Sequence, residues 1–401
     1  MLDVTDYQAR VAALVSPTGA EDLPIAEAVD RVLAAPVEAP EPLPAFDNSA
    51  MDGYAVRAAD VTGATEESPV RLPVGDDIPA GAPIGELAPG TTRRIMTGAP
   101  LPRGADAVVE VEATDGGTDE VEIRAARSAG TFVRRAAGDV AVGATVLEPG
   151  AVLGAAQVGL LAALGVTEVS VRRRPRVLVC STGSELAEDP DPAAGQIRDS
   201  NGALLAAAVE QAGGLAVRQL WVADDVPAFL AALDDALVDV DLVLTTGGVS
   251  AGAYEVVKDA LGSRGVEFLK VAMQPGMPQG CGHYAGPGGA VPIVCLPGNP
   301  VSALTSFEVF VRPALRAAYG HPRPQRRVVR ATLTDAVDKP AGKRQLRRGR
   351  LDPDAGTATP WGPPGSGFLG WFAGADCLID LPADVTSVPA GAEVDVWDLL
   401  G

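Results

Sequence analysis

Three runs of β-branched and aliphatic residues in the span 176–315 each stop at a glycine- or proline-bearing turn and give way to a helical pattern. They read RVLVCSTGSEL (176–186), DLVLTTGGVSAG (241–252) and PIVCLPGNPVSALTSFEVF (292–310). Such runs predict buried parallel strands, each feeding a loop. In an open α/β sheet these loops gather at the carboxyl ends of the strands, where helix N-termini and free backbone N–H groups favour phosphates and other oxyanions. An anion-binding crevice is therefore expected along that edge.

A chain of 401 residues exceeds one ordinary core and suggests two to four domains. Apolar residues make up 47% and aromatics only 4%, so the cores are expected to be aliphatic and closed by many Gly and Pro turns. A net charge of −20 argues against nucleic acid and against an anionic membrane surface as partners. It leaves room for a small anionic substrate, because helix ends, arginines or a metal ion reverse the field inside a single cleft. Cys180, Cys281, Cys295 and Cys377 show no C-x-x-C spacing and read as reduced core thiols of a cytoplasmic protein. With only His283 and His321 present, histidine-rich metal sites and most Ser-His-Asp designs are excluded, and carboxylates must do the acid, base or metal work. The most apolar stretch, 151–166, is interrupted by Gln157 and three glycines and is too short to span a bilayer.

The expected fold is α/β plus β and multidomain. A helical pattern over 1–35 and a proline-rich 38–46 begin a helical and extended linker domain, 1–45 with 139–173. Short strands and turns fill an inserted β domain, 46–138. Within these two domains DIPAGAPIGE (77–86) and DVAVGATVLE (139–148) echo each other, best read as the same kind of tight turn. The α/β domain is 174–322, with a crossover helix over 201–214 capped by Ser200 or Asn201. Short strands over 323–401 predict a C-terminal β-barrel or sandwich domain.

Each motif admits an ordinary reading beside a chemical one. The loop PLPAFDNSAMDGYAVR (42–57) concentrates Asp47, Asn48, Ser49 and Asp52, which suits either Asx-turn chemistry or a polar site. Thr97 in TGAPLPRGADAVVEVE is explained most simply as part of a loop entering a strand. At 181–186 Ser181, Thr182 and Gly183 offer a phosphate hydroxyls and close backbone approach, and Glu185 faces the loop mouth. Residues 245–252 repeat the design with Gly247, Gly248 and Ser250, followed by Glu255. In 296–303, Pro297, Gly298 and Pro300 shape a turn, Asn299 is placed to cap, and Ser302 lies in the first helical turn. Asp224 and Asp225 suit a helix N-terminus, yet they share a sheet edge with Glu185 and Glu255, where converging carboxylates would suit Mg²⁺. The arginine clusters 172–176 and 343–350 read as solvated faces or linkers.

Seven segments in order, PLPAFDNSAMDGYAVR, RIMTGAPLPRGADAVVEVE, RRAAGDV, STGSEL, GQIRDSN, TTGGVSAG and CLPGNPVSAL, resemble the molybdopterin molybdenumtransferase family, bacterial proteins related to the carboxy-terminal domain of gephyrin. The resemblance covers nearly the whole chain. It implies a homodimer that takes adenylylated molybdopterin, cleaves its adenylate and places molybdenum from molybdate on the dithiolene, aided by Mg²⁺. A molybdopterin adenylyltransferase is the implied candidate partner. Carried over by motif, Asp52, Thr97, Asp139, Glu185 and Asp224 would be catalytic, with Glu185, Asp224 and Glu255 as metal ligands. Ser181, Thr182, Gly183, Asp199, Gly247, Gly248, Ser250, Pro297, Gly298, Asn299, Pro300 and Ser302 would hold pterin and phosphates. Arg348 and Ser366 are expected to complete a partner subunit's cleft.

Two departures stand out. Gln274 and Met277 occupy positions where the family pattern has lysines, and Glu255 stands where an aspartate is usual. The competing readings are a molybdopterin adenylyltransferase, a related nucleotide pyrophosphatase, and a non-catalytic scaffold like gephyrin. The first would not need residues 1–175 or the C-terminal β domain, the DNSAMDGYA loop speaks against the second, and retained acids speak against the third.

Overall fold

The computed structural model of the protein describes residues 1–187, 192–249 and 255–400. It divides into two compact units, one of Met1–Glu21 with Arg172–Gly401 and one of Asp22–Val171.

The first unit is built on a six-stranded sheet. Its strands are β1 (Arg176–Thr182), β2 (Leu215–Val222), β3 (Leu242–Thr246), β4 (Val266–Lys270), β5 (Pro278–Gly286) and β6 (Gly289–Leu296), in the order β2-β1-β3-β6-β5-β4. The first four in that order are parallel, and β5 runs antiparallel to both of its neighbours, β6 and the edge strand β4. The three apolar runs of the sequence are thus adjacent. Val177, Val179, Leu242, Leu244, Val294 and Leu296 enter one core, while Leu178, Cys180, Val243, Ile293 and Cys295 enter another. That alternation is the period of two of a strand covered on both faces. All four cysteines are buried and free, as the sequence predicts. From β1 the chain moves to β2 on one side and later to β3 on the other, so the order reverses between β1 and β3. Ligands favour the crevice outside such a reversal.

Several local expectations are corrected. The helix over 200–211 (Ser200–Gln211) is capped by Asp199, which accepts from Gly202 N at 3.0 Å, rather than by Ser200 or Asn201. The N-terminal helix is only Val4–Leu14; Pro17 and Gly19 stop it, and Ala20–Pro24 is a strand. This helix packs on the α/β unit: Tyr7 stacks edge-on against Phe310 at 4.7 Å and donates to Gly280 O at 2.9 Å, which groups residues 1–21 with that unit.

Strands Val328–Leu333, Arg344–Asp352, Thr357–Pro360, Cys377–Leu381 and Glu393–Asp398 close into a five-stranded barrel. Ala331, Leu333, Ile379, Val394 and Val396 fill it. Met273–Gln274 pairs in parallel with the Arg344–Asp352 strand, setting Gln274 opposite Gln345. Leu346, Phe372 and Leu378 share the apolar cluster of β1, β3 and β6, so the regions expected to part at 322/323 have a common core.

In the second unit, Ala107–Glu110, Gly53–Val56, Thr92–Ile95, Val70–Ile78 and Glu120–Ile123 form a five-stranded sheet in that order, and Ala155–Ala163 is helical. The echoing segments 77–86 and 139–148 share positive-φ glycines, Gly81 at 84° and Gly143 at 77°, which fits a common turn type. Among the described residues no helix is long and apolar enough to cross a membrane.

Candidate active site

A cavity of about 740 Å³ opens at the carboxyl ends of the strands, within the first unit. Ser181, Thr182, Gly183 and Glu185 reach it from β1, Asp224 from β2, Gly247 and Gly248 from β3, and Pro297, Gly298, Asn299, Pro300 and Ser302 from the loop after β6. Asp199, Glu255, Gln274, Arg347, Arg348 and Ser366 complete the walls. The volume suits a cofactor-sized ligand. Ser250 lies outside the described residues.

The loops hold one another. Thr246 Oγ donates to Pro297 O at 3.0 Å and accepts from Asn201 Nδ2 at 2.9 Å, and the same Nδ2 donates to Gly298 O at 2.6 Å. Asn201, expected only as a cap, therefore ties the β3 and β6 loops together. Gly247 has φ 94°, and a Cβ there would lie 2.5 Å from Thr182 O, so only glycine permits the β1 and β3 loops to approach this closely. Thr182 Oγ donates to Thr246 O at 3.3 Å. Ser181 Oγ is buried with no hydrogen-bond partner.

The acids divide their tasks. Asp225 caps Val226–Ala236, accepting from Ala228 N at 2.7 Å. Asp224 braces the loop after β1: its carboxylate accepts from Ser184 N at 2.9 Å, and its own N–H donates to Ser184 Oγ at 3.2 Å. Asp199 is engaged as the helix cap. Glu185, Asp224 and Glu255 all face the cavity, yet among the described residues no three acidic, His or Cys side chains gather as a closed metal site. A hard cation bound there would share one or two carboxylates with substrate phosphates.

The barrel supplies the opposite wall. Arg348, 3% exposed, donates to the carbonyls of Pro363, Gly365 and Phe368, and burial pulls its pKa below that of a free guanidinium. Ser366 Oγ accepts from Asn299 Nδ2 at 2.9 Å, so Asn299 does not cap its helix with its side chain. The expectation that Arg348 and Ser366 serve a partner's cleft is corrected. Strand pairing at Met273–Gln274 seats the barrel against its own α/β sheet, and both residues line their own chain's cavity. Arg347 and Gln345 line it too; the cluster 343–350, expected as a solvated face or linker, is instead a largely buried barrel strand that walls the cavity.

The remaining candidates lie in the second unit. Asp52 accepts from Thr97 N at 2.6 Å and from Thr97 Oγ at 2.8 Å. These bonds, the backbone one foremost, hold its carboxyl below the usual range. Asp52 is therefore bonded to a segment 45 residues away rather than to its own turn. Its neighbours do follow turn chemistry, with Asn48 Nδ2 donating to Phe46 O and Ser49 Oγ to Met51 O. Asp47 ties the loop to Arg135 at 2.6 Å and to Ala136 N at 2.7 Å. Asp139 has an exposed side chain, and its N–H donates to Leu43 O at 2.9 Å.

Three family descriptions match in order: MoeA N-terminal region (domain I and II) over residues 2–165, probable molybdopterin binding domain over 178–317, and MoeA C-terminal region (domain IV) over 330–399. Molybdopterin molybdenumtransferase 2 of Mycobacterium tuberculosis is 54% identical over the full length of both chains. Molybdopterin molybdenumtransferase of Bacillus subtilis is 32% identical over 98% of this chain and 93% of its own. The crystal structure of the molybdopterin biosynthesis moea protein from Pyrococcus horikosii superposes with a TM-score of 0.85 at 32% identity, covering all of both chains. With three family regions matched in order and relatives above 30% identity over nearly the whole of both chains, the chain belongs to the molybdopterin molybdenumtransferase family.

Proposed function

We propose that this enzyme inserts molybdenum from molybdate into adenylylated molybdopterin, with release of AMP, as a step of molybdenum cofactor biosynthesis. The observation that carries the reading is the single cavity in which three strand-end loops meet Arg348 and Ser366 of the barrel. Cleaving a phosphoanhydride needs positioning and charge neutralisation more than a covalent nucleophile. Ser181, Thr182, Asn299 and Ser302, with the backbone of Gly247, Gly248 and Gly298, suit phosphate and pterin binding. Arg348 is set to offset negative charge from the barrel side.

Mg²⁺ would be held by Glu185, Asp224 or Glu255 together with substrate phosphates, and would supply charge neutralisation at the phosphoanhydride. Asp52, anchored by Thr97, and Asp139 are proposed as catalytic acids of the reaction, in a homodimer supplied by a molybdopterin adenylyltransferase.

The test is AMP release from adenylylated molybdopterin with and without molybdate. Molybdate-dependent release is expected, and Asp52→Asn should lower it by about two orders of magnitude or more with the melting temperature nearly unchanged. Release indifferent to molybdate would favour a pyrophosphatase, and a fully active, folded Asp52→Asn protein would remove Asp52 from the chemistry.

A further inference from the structure

We propose that Gln274 and Gln345 form a neutral carboxamide corner of the cavity that takes the hydrogen-bonding edge of the pterin ring. The inference deepens the functional reading above and rests on it.

Both side chains line the cavity and stand opposite each other where Met273–Gln274 pairs with the barrel strand. Gln345 is only 4% exposed. The Oε1 atoms of both are buried with no hydrogen-bond partner. Two adjacent buried amide oxygens left unsatisfied are costly unless a ligand meets them.

The chemistry of that ligand follows from the amide. However it is turned, a carboxamide presents one acceptor oxygen and one NH₂ donor and carries no charge. Phosphate or molybdate would meet the NH₂ groups but leave both oxygens unpaired. A planar heterocycle with donors and acceptors on one edge meets both. Two parts of the proposed substrate have such an edge, the pterin and the adenine. Adenine has a single donor nitrogen on its edge, N6, flanked by the acceptors N7 and N1, and so cannot set a separate donor nitrogen against each amide oxygen. The pterin's 2-amino, N3–H and 4-oxo groups lie in a row and reach two. This favours the pterin, and it leaves anion binding to the strand-end loops and Arg348.

The experiment measures equilibrium binding of 6-hydroxymethylpterin, AMP and molybdate to the full-length protein and to Gln345→Met and Gln274→Met, near-isosteric changes that delete the amide. Pterin affinity should fall by about tenfold or more in either variant, because a site built around polar groups rejects a broken pairing strongly. Molybdate affinity and melting temperature should hold. A loss confined to AMP would keep the heterocycle-binding corner and assign it to adenine instead. A loss confined to molybdate, or unchanged binding of all three probes, would overturn the proposal. Wild-type protein that binds neither heterocycle would sink the functional reading as well, whereas wild-type binding that both variants retain sinks this inference alone. Gln274→Lys adds a second arm: it should weaken pterin binding, and pterin binding left intact with tighter molybdate binding would count against the corner.

Discussion

Single side chains here are often set by the few atoms that face them. Asn201 looks like a helix cap in sequence, but Asp199 takes that task and frees the Asn201 amide to tie two loops. His321 is a comparable case outside the cavity. Burial foremost, and then the Arg316 guanidinium, 2.6 Å from Nε2 and 2.8 Å from Nδ1, push its pKa down to about 4, while Arg323 N donates to Nδ1 at 3.0 Å. Facing two donors, the ring is neutral when folded. In the unfolded chain it takes up a proton near pH 6.5. Its contribution to stability is therefore complete above about pH 6.5 and is lost as the pH falls from there toward 4. His321→Gln should flatten that part of the stability profile, measured by urea unfolding between pH 7 and 4. An unchanged slope would show that the imidazole titrates alike in both states.

At the scale of elements, the long helix after β6 carries its own polar centre. It runs through Pro300–Ser306, a π-helical Phe307–Val311 and Arg312–Ala318. Buried Glu308 in the middle segment is bonded by Arg326 at 2.8 and 3.1 Å and stands 3.4 Å from Arg312. Side-chain exposures of 5 to 8% mean that removing the carboxylate takes the nearest counter-charge from two buried cations. Glu308→Ala should destabilise the fold by about 3–5 kcal/mol in denaturant titration; a loss below about 1 kcal/mol would mean that water reaches the arginines. The strand ends of β1, β3 and β6 were legible because each is an unbroken apolar run ended by a turn. Caps were not, since Asp199, Ser200 and Asn201 are all good caps and only the fold chooses among them. The placement of Arg348 and Ser366 was hidden for another reason. It depends on a two-residue pairing, Met273 with Arg344 and Gln274 with Gln345, too short to leave a periodic signal. Gln345 was illegible for the same reason. Thr97 looked like a loop residue, and only its bond to Asp52 shows what the loop holds.

Across the whole molecule, the shared core has a thermodynamic consequence. Leu346, Phe372 and Leu378 belong to the barrel region yet pack with Val177, Leu244 and Leu296 of the sheet. Removing either part would strip the other of its apolar cover, so the two should melt together. Calorimetry of the full chain should show no separate barrel transition, and the isolated segment 174–322 should be less stable than the same segment in the intact protein. A barrel that melts on its own would refute this. The placement of Tyr7 against Phe310 also sets an order in time. The Val4–Leu14 helix has its docking surface made some three hundred residues after it, and the whole second unit emerges in between. During synthesis its buried face, Val4, Tyr7 and Val11, must wait uncovered, a window in which a nascent chain is open to chaperones and to mispairing with its neighbours.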